Sequence, residues 1–170
     1  VEAAIASDIE QGLHDGAALT VGRRGSVALS SVQGFAHRES QRRLSDNDVF
    51  VTFSSGKQFT VAAVLVYVER GLLQLHQPVA DVIPEFAVNG KRTISLFNLL
   101  THTSGIPPYP PPLPGADGFS LEKTVAAICT TAPETLPGKS VKYSILTAHA
   151  VMAEMVRRVD GGHRPFRQIV

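Results

Sequence analysis

The N-terminal part of the chain changes from a helical to a strand-like pattern of apolar positions. Residues 2–14 carry apolar side chains near helical spacing, which predicts a short amphipathic helix that ends at Gly16. Two strand-like runs follow at 18–21 and 27–32, and the stretch 22–25 between them has glycine at both ends. This arrangement predicts a β-hairpin.

A long apolar segment follows a polar stretch at 36–48, where we expect a surface loop. After a short apolar approach at 49–53, the chain runs from Ser54 through the apolar residues 61–68 to Gly71. Several of these residues are β-branched, but the glycine suits the position just after a helix, and we predict a helix of about four to five turns. A helix that is apolar on all sides is usually buried at the centre of a domain.

The second half of the chain is predicted to be helical, with irregular connections. We expect three further helices, the first capped by Thr93 or Ser95 and the last ended by a pair of glycines. These helices lie at 93–100, 121–129 and 146–159. The stretch 105–118 is rich in proline and glycine, which predicts an irregular loop.

The composition excludes several classes of protein. Of the 170 residues, 44% are hydrophobic and 18% are charged, which is typical of a folded globular domain rather than a disordered chain. The net charge is +1 and no basic cluster is long, so we expect no nucleic-acid partner. The longest apolar run is too short to span a bilayer, so we expect no membrane partner. The single cysteine, Cys129, lies in an apolar helical pattern that favours a buried core residue over a reactive thiol.

Ser54 and Lys57 form the first candidate for chemistry. Their spacing places both side chains on one face of a helix. A serine hydroxyl is a weak nucleophile until a neighbouring group takes its proton, and a lysine can be that group. The first turn of a helix adds free N–H groups and the positive end of the helix dipole, and both stabilise an oxyanion. By spacing alone, a capping serine beside a solvated lysine is the favoured explanation.

Longer motifs around this pair resemble those of a known enzyme family. The stretch 48–60 is similar to the nucleophile segment of class C β-lactamases, penicillin-binding proteins and the esterases related to them. The stretch 71–86 is similar to the connection that follows their nucleophile helix. The run 99–105, Leu-Leu-Thr-His-Thr-Ser-Gly, is the most specific match. The resemblance covers nearly the whole chain and implies an α+β fold of the β-lactamase/transpeptidase type.

The resemblance also implies roles for individual residues. Ser54 would be the acylated nucleophile, and Lys57 the partner that lowers the cost of deprotonating it. Tyr143, in a segment similar to the family's second catalytic motif, would be the general base, as a phenolate or through a proton shared with Lys57. His102 would be mainly structural, and the other histidines, His149 among them, are expected on the surface or in the core. No zinc-binding spacing is present, and we expect neither a metal nor a cofactor.

The chain departs from the family's pattern in two places. Ile145 stands where the family usually has an asparagine that binds the substrate's amide in β-lactamases, and this favours the esterase and acyltransferase branches. Residues 144–170 also lack the family's third motif, which helps to complete the oxyanion hole. We therefore expect an incomplete fold, in which 1–53 form the helix and hairpin of an α/β subdomain and 54–170 form a helical subdomain. Because such a chain exposes a large apolar area, a second polypeptide that completes the fold is preferred over truncation or cleavage.

Three functions follow from these observations. The first is a serine hydrolase that cleaves an ester or amide of a small acyl substrate through an acyl-Ser54 intermediate. The second is an acyltransferase that passes the same acyl group to an amine or alcohol, and the third is a non-catalytic binding relative. A cytoplasmic location is expected because residues 1–5 show no signal-peptide pattern, while a secreted or periplasmic location stays open if a signal peptide has been removed.

Overall fold

Five helices and one small antiparallel sheet make up the fold, which a computed structural model describes over residues 1–170. The chain divides into two units, Val1–Val51 and Thr52–Val170. The first unit contains α1 (Glu2–Glu10), β1 (Gly16–Arg23), β2 (Ser26–His37) and β3 (Arg42–Arg43). The second unit contains α2 (Lys57–Glu69), α3 (Leu96–Leu100), α4 (Leu121–Thr130) and α5 (Thr147–Val159). The predicted α+β class is confirmed.

Helix α1 ends earlier than the apolar pattern predicted. Gly12 has a φ of 74°, in the left-handed region, and the Leu13 N–H donates a 3.0 Å hydrogen bond back to the Asp8 carbonyl. Glycine adopts this conformation at little cost, so the chain leaves the helix at Gly12 rather than at Gly16. Gly16 instead begins β1, where an added Cβ would lie 2.6 Å from the Phe35 carbonyl oxygen.

The predicted hairpin is confirmed, but the sheet is larger than predicted. Strands β1 and β2 pair antiparallel and are joined at Arg24 and Gly25, whose φ values of 52° and 79° suit a type I′ turn. The expectation of a surface loop over 36–48 is partly wrong, because β2 runs on and pairs with β3. The Arg43 guanidinium lies 4.4 Å from the centroid of the Phe35 ring, a cation–π contact that stabilises this short pairing.

The predicted nucleophile helix consists of two elements. Ser54 lies in a 3₁₀ turn at Phe53–Gly56, and α2 begins at Lys57. Gly71 follows the end of α2 with a φ of 73°, as predicted for a residue in that position. The structure buries only one face of α2, whereas the sequence predicted a helix at the centre of the domain. The other face is apolar and open, with Phe59 65% exposed.

The core of the second unit lies where α5 packs against α2 and α4. The predicted amphipathic helix over 146–159 is confirmed as α5, and Cys129 of α4 is buried as expected. The polar side of α5 also reaches the interior, because the Glu154 side chain is 2% exposed. Glu154 accepts hydrogen bonds of 2.7 Å from the Nε atoms of both Arg157 and Arg158, so its buried charge is paired.

Helix α3 begins with a capping box at one of the two predicted caps. The Ser95 Oγ accepts a hydrogen bond from the Asn98 N–H at 3.3 Å, and the Asn98 Oδ1 accepts one from the Ser95 N–H at 3.0 Å. Ser95 is therefore the cap and Thr93 is not. No helix of the chain combines the length and apolar character needed to cross a membrane.

Candidate active site

Ser54, Lys57 and Tyr143 meet in the second unit, although Tyr143 is distant from the other two in sequence. The Lys57 Nζ donates a 3.0 Å hydrogen bond to the Ser54 Oγ. The same Nζ lies 5.2 Å from the centroid of the Tyr143 ring. The structure thus brings together the three side chains that the sequence selected as candidates.

The turn before α2 sets the position of Ser54. The backbone N–H of Lys57 bonds to the Ser54 carbonyl, so the two side chains stand on the same side of the chain at the front of the helix. Phe53, directly before Ser54, has a φ of 45°, in the left-handed region. Non-glycine residues rarely adopt this conformation, and such strain clusters at functional sites.

The three side chains open onto a cleft of about 500 Å³. One side of the cleft is apolar and includes Val61 and Leu65 of α2, together with Leu100 of α3. The polar side is made by the three candidate residues with His102 and His149. This combination of an apolar wall and a few convergent polar groups is typical of a small-molecule site.

The electrostatics of the cleft favour the phenolate form of Tyr143. Hydrogen bonding with Ser54, and secondly with Lys57, lowers the pKa of the Tyr143 phenol, and the positive charge of Lys57 acts in the same direction. A phenol with a lowered pKa is a better proton acceptor near neutral pH than an ordinary tyrosine would be in its place, since it is ionised more often.

The motif at 99–105 lies directly behind Tyr143. The His102 carbonyl accepts a 2.9 Å hydrogen bond from the Lys142 N–H, and the His102 Nδ1 accepts one of 3.1 Å from the Ser144 N–H. The His102 and Tyr143 ring centroids are 4.8 Å apart. His102 is bonded to the segment that carries Tyr143 and not to Ser54, so the geometry agrees with a structural role rather than a Ser-His pair.

His149 is the residue of the cleft that the sequence did not single out. It lies in the first turn of α5, and its Nδ1 is buried without a hydrogen-bond partner. Burial, and then the charges of Lys57 and His102, lower the pKa of His149 to about 4. Nothing in the sequence next to His149 distinguishes it from the other histidines, since most of its neighbours in the cleft are distant along the chain.

The fold is shared with solved structures of β-lactamase-like and penicillin-binding-protein-like enzymes. A family VIII carboxylesterase has a TM-score of 0.88 and 27% sequence identity to this chain. The match covers 99% of this chain and 46% of the carboxylesterase chain. A penicillin-binding protein homologue from Caulobacter crescentus has a TM-score of 0.81 and 32% sequence identity to this chain. The match covers 96% of this chain and 45% of the homologue's chain.

The chain belongs to the Beta-lactamase family, whose model matches residues 1–170. Esterase EstB of Burkholderia gladioli is 31% identical to it over 165 residues, which are 86% of this chain and 41% of the relative. The chain thus spans about two fifths of that relative's length. The family and its esterase relatives were expected from the motifs at 48–60 and 99–105, and this expectation is confirmed.

Proposed function

We propose that the protein is a serine hydrolase of the β-lactamase-related esterase type, which cleaves an ester or amide through an acyl-Ser54 intermediate. The observation that carries the proposal is the 3.0 Å hydrogen bond from the Lys57 Nζ to the Ser54 Oγ, with the Tyr143 ring beside it. Membership of the Beta-lactamase family, with a relative named as an esterase, supports the same reaction class.

The proposed reaction begins with transfer of the Ser54 proton to Tyr143, whose phenolate is stabilised by the Lys57 ammonium. The Ser54 Oγ then attacks the carbonyl carbon of the substrate, and negative charge develops on the carbonyl oxygen of the tetrahedral intermediate. Collapse of this intermediate expels the alcohol or amine, which takes the proton from Tyr143. Water then gives a proton to Tyr143 and attacks the acyl carbon. Collapse of the second tetrahedral intermediate releases the carboxylic acid as the Ser54 Oγ takes the proton back from Tyr143.

Two features favour a simple acyl ester over a β-lactam, one in the sequence after Tyr143 and one in the cleft. Ile145 stands where an asparagine would bind the amide side chain of a β-lactam, and its own N–H donates to the Pro108 carbonyl at 3.1 Å. The wall that includes Val61, Leu65 and Leu100 offers apolar surface beside Ser54. An aliphatic acyl chain gains free energy by burying its surface against such a wall.

Ester turnover by the full-length protein tests the proposal. With p-nitrophenyl butyrate as substrate, Ser54→Ala should lower kcat by about a thousandfold or more, and Lys57→Ala should also lower it strongly. Ser55→Ala is the matched control, since this exposed neighbour should keep kcat within about threefold of wild type. Equal activity of the Ser54→Ala and Ser55→Ala variants would contradict the proposal. Product analysis with an added alcohol separates hydrolysis from acyl transfer.

A further inference from the structure

We propose that His102 is a positioning residue, which holds Tyr143 beside Ser54 and does so only as the neutral imidazole. This inference rests on the proposed role of Tyr143 as the base. Its evidence is the pair of hydrogen bonds from the Lys142 and Ser144 N–H groups, which His102 accepts at its carbonyl and at its Nδ1. These bonds fix the residues on both sides of Tyr143, which is itself 49% exposed.

The backbone around His102 indicates that its side chain is needed. The His102 N–H donates to the Leu99 carbonyl at 3.3 Å and the Thr103 N–H donates to the Asn98 carbonyl at 2.9 Å, which together end α3 in a Schellman motif. His102 occupies the position where such motifs usually carry glycine, with a φ of 56°. A histidine costs more than glycine in this conformation, and the bond at its Nδ1 offsets that cost.

The same segment is bonded along its length to the residues that precede Tyr143. The Glu134 N–H donates to the Gly105 carbonyl at 2.7 Å, and the Gly138 N–H donates to the Thr103 carbonyl at 2.8 Å. These two bonds hold the segment 134–138 next to the motif at 99–105. The two bonds of His102 then fix Lys142 and Ser144, which flank Tyr143, at the cleft. The position of Tyr143 therefore depends on His102 more directly than on any other residue of the motif.

The Nδ1 contact defines the protonation state that His102 requires. Because Nδ1 accepts the Ser144 N–H, the single proton of the neutral ring lies on Nε2. The charged and titratable groups that face the ring are the Lys57 ammonium, the Tyr143 phenol and the His149 imidazole, whose centroid is 6.0 Å away. Protonation would place an N–H at Nδ1 against the Ser144 N–H and break the bond.

The environment keeps His102 neutral near physiological pH. Burial, and then the charge of Lys57, lower the pKa of His102 below 6.5, so the neutral form predominates above that pH and is lost as the pH falls through the lowered value. The pKa of His149 lies at about 4, so this neighbour remains neutral over most of the same interval.

Two substitutions separate the hydrogen bond from the titration. Asparagine tolerates a positive φ, and its Oδ1 can accept the Ser144 N–H without titrating, whereas alanine supplies no acceptor. In the full-length protein, His102→Ala should lower kcat for p-nitrophenyl butyrate about tenfold or more, with KM within about threefold. His102→Asn should restore most of kcat and move the acid limb of its pH profile to lower pH. His163→Asn, at an exposed histidine, should keep the wild-type profile.

The outcomes distinguish this inference from the proposed function. A wild-type kcat and pH profile in His102→Ala would overturn it, and so would a His102→Asn variant with the wild-type acid limb, even if the alanine variant fails to fold. Should wild-type protein neither turn over esters nor be acylated at Ser54, the proposed function fails first. NMR titration of isotope-labelled tyrosine, assigned with Tyr143→Phe, then tests the placement alone. The inference requires the pKa of Tyr143 to rise in His102→Ala and to stay low in His102→Asn.

Discussion

Replacing His149 with leucine tests the electrostatics of the cleft through protein stability. Burial, and then the charges of Lys57 and His102, lower the pKa of His149 from the ordinary 6.5 to about 4. The unfolded chain therefore takes up this proton at a higher pH than the folded one, and acidification through the interval favours unfolding. At about 1.4 kcal/mol for each pH unit, His149 lowers the free energy of unfolding by up to about 3 kcal/mol between pH 6.5 and about pH 4.

The His149→Leu variant loses this titration, together with the buried Nδ1 that has no partner. Acidification from about pH 7 to pH 4 lowers the free energy of unfolding of both proteins. The loss in His149→Leu should be smaller than the loss in wild type by up to about 3 kcal/mol. Urea titrations of the full-length protein at both pH values measure the difference. His163→Leu is the matched control, because His163 is exposed and its variant should keep the wild-type loss. An equal acid loss in His149→Leu and wild type would refute the reasoning.

Three further predictions concern Tyr143, the motif at 99–105 and the buried ion pair of α5. Tyr143→Phe removes the proposed base and should lower kcat about a hundredfold or more with little change in KM; wild-type kcat would count against its role. Gly105→Ala places a Cβ 2.1 Å from the Thr135 carbonyl oxygen at a φ of 75°, and urea titration should show a loss of about 2 kcal/mol or more, against almost none for Gly118→Ala in open space. Glu154→Gln breaks a buried ion pair and should cost about 3 kcal/mol by the same measurement; a loss below about 1 kcal/mol would argue against a structural role.

The features predicted from sequence are those that depend on residues close along the chain. The capping serine of α3, the glycine after α2 and the apolar stripe of α5 each follow from a few neighbouring positions. The Ser54–Lys57 contact belongs to the same group, because one helical turn determines it. The structure differs from the prediction only in the element that carries Ser54, which lies in the 3₁₀ turn rather than in α2 itself.

The features that were missed depend on contacts between distant residues. The pairing of β3 with β2 and the contact of Arg43 with Phe35 are not visible in a polar stretch of sequence. The approach of Tyr143 to Lys57 depends on a loop path that only the family resemblance suggested. His149 gave no local signal, because its neighbours in the cleft come from α2 and from the motif at 99–105.

The site of covalent modification by an acylating reagent tests the central claim most directly. Full-length protein is treated with a fluorophosphonate, digested, and mapped by peptide mass spectrometry, with Ser54→Ala and Ser55→Ala treated in parallel. Because Lys57 bonds to the Ser54 Oγ and Tyr143 lies beside it, the adduct should form on Ser54, persist in Ser55→Ala and disappear in Ser54→Ala. An adduct on another serine, or one that survives in Ser54→Ala, would contradict the assignment of Ser54 as the nucleophile.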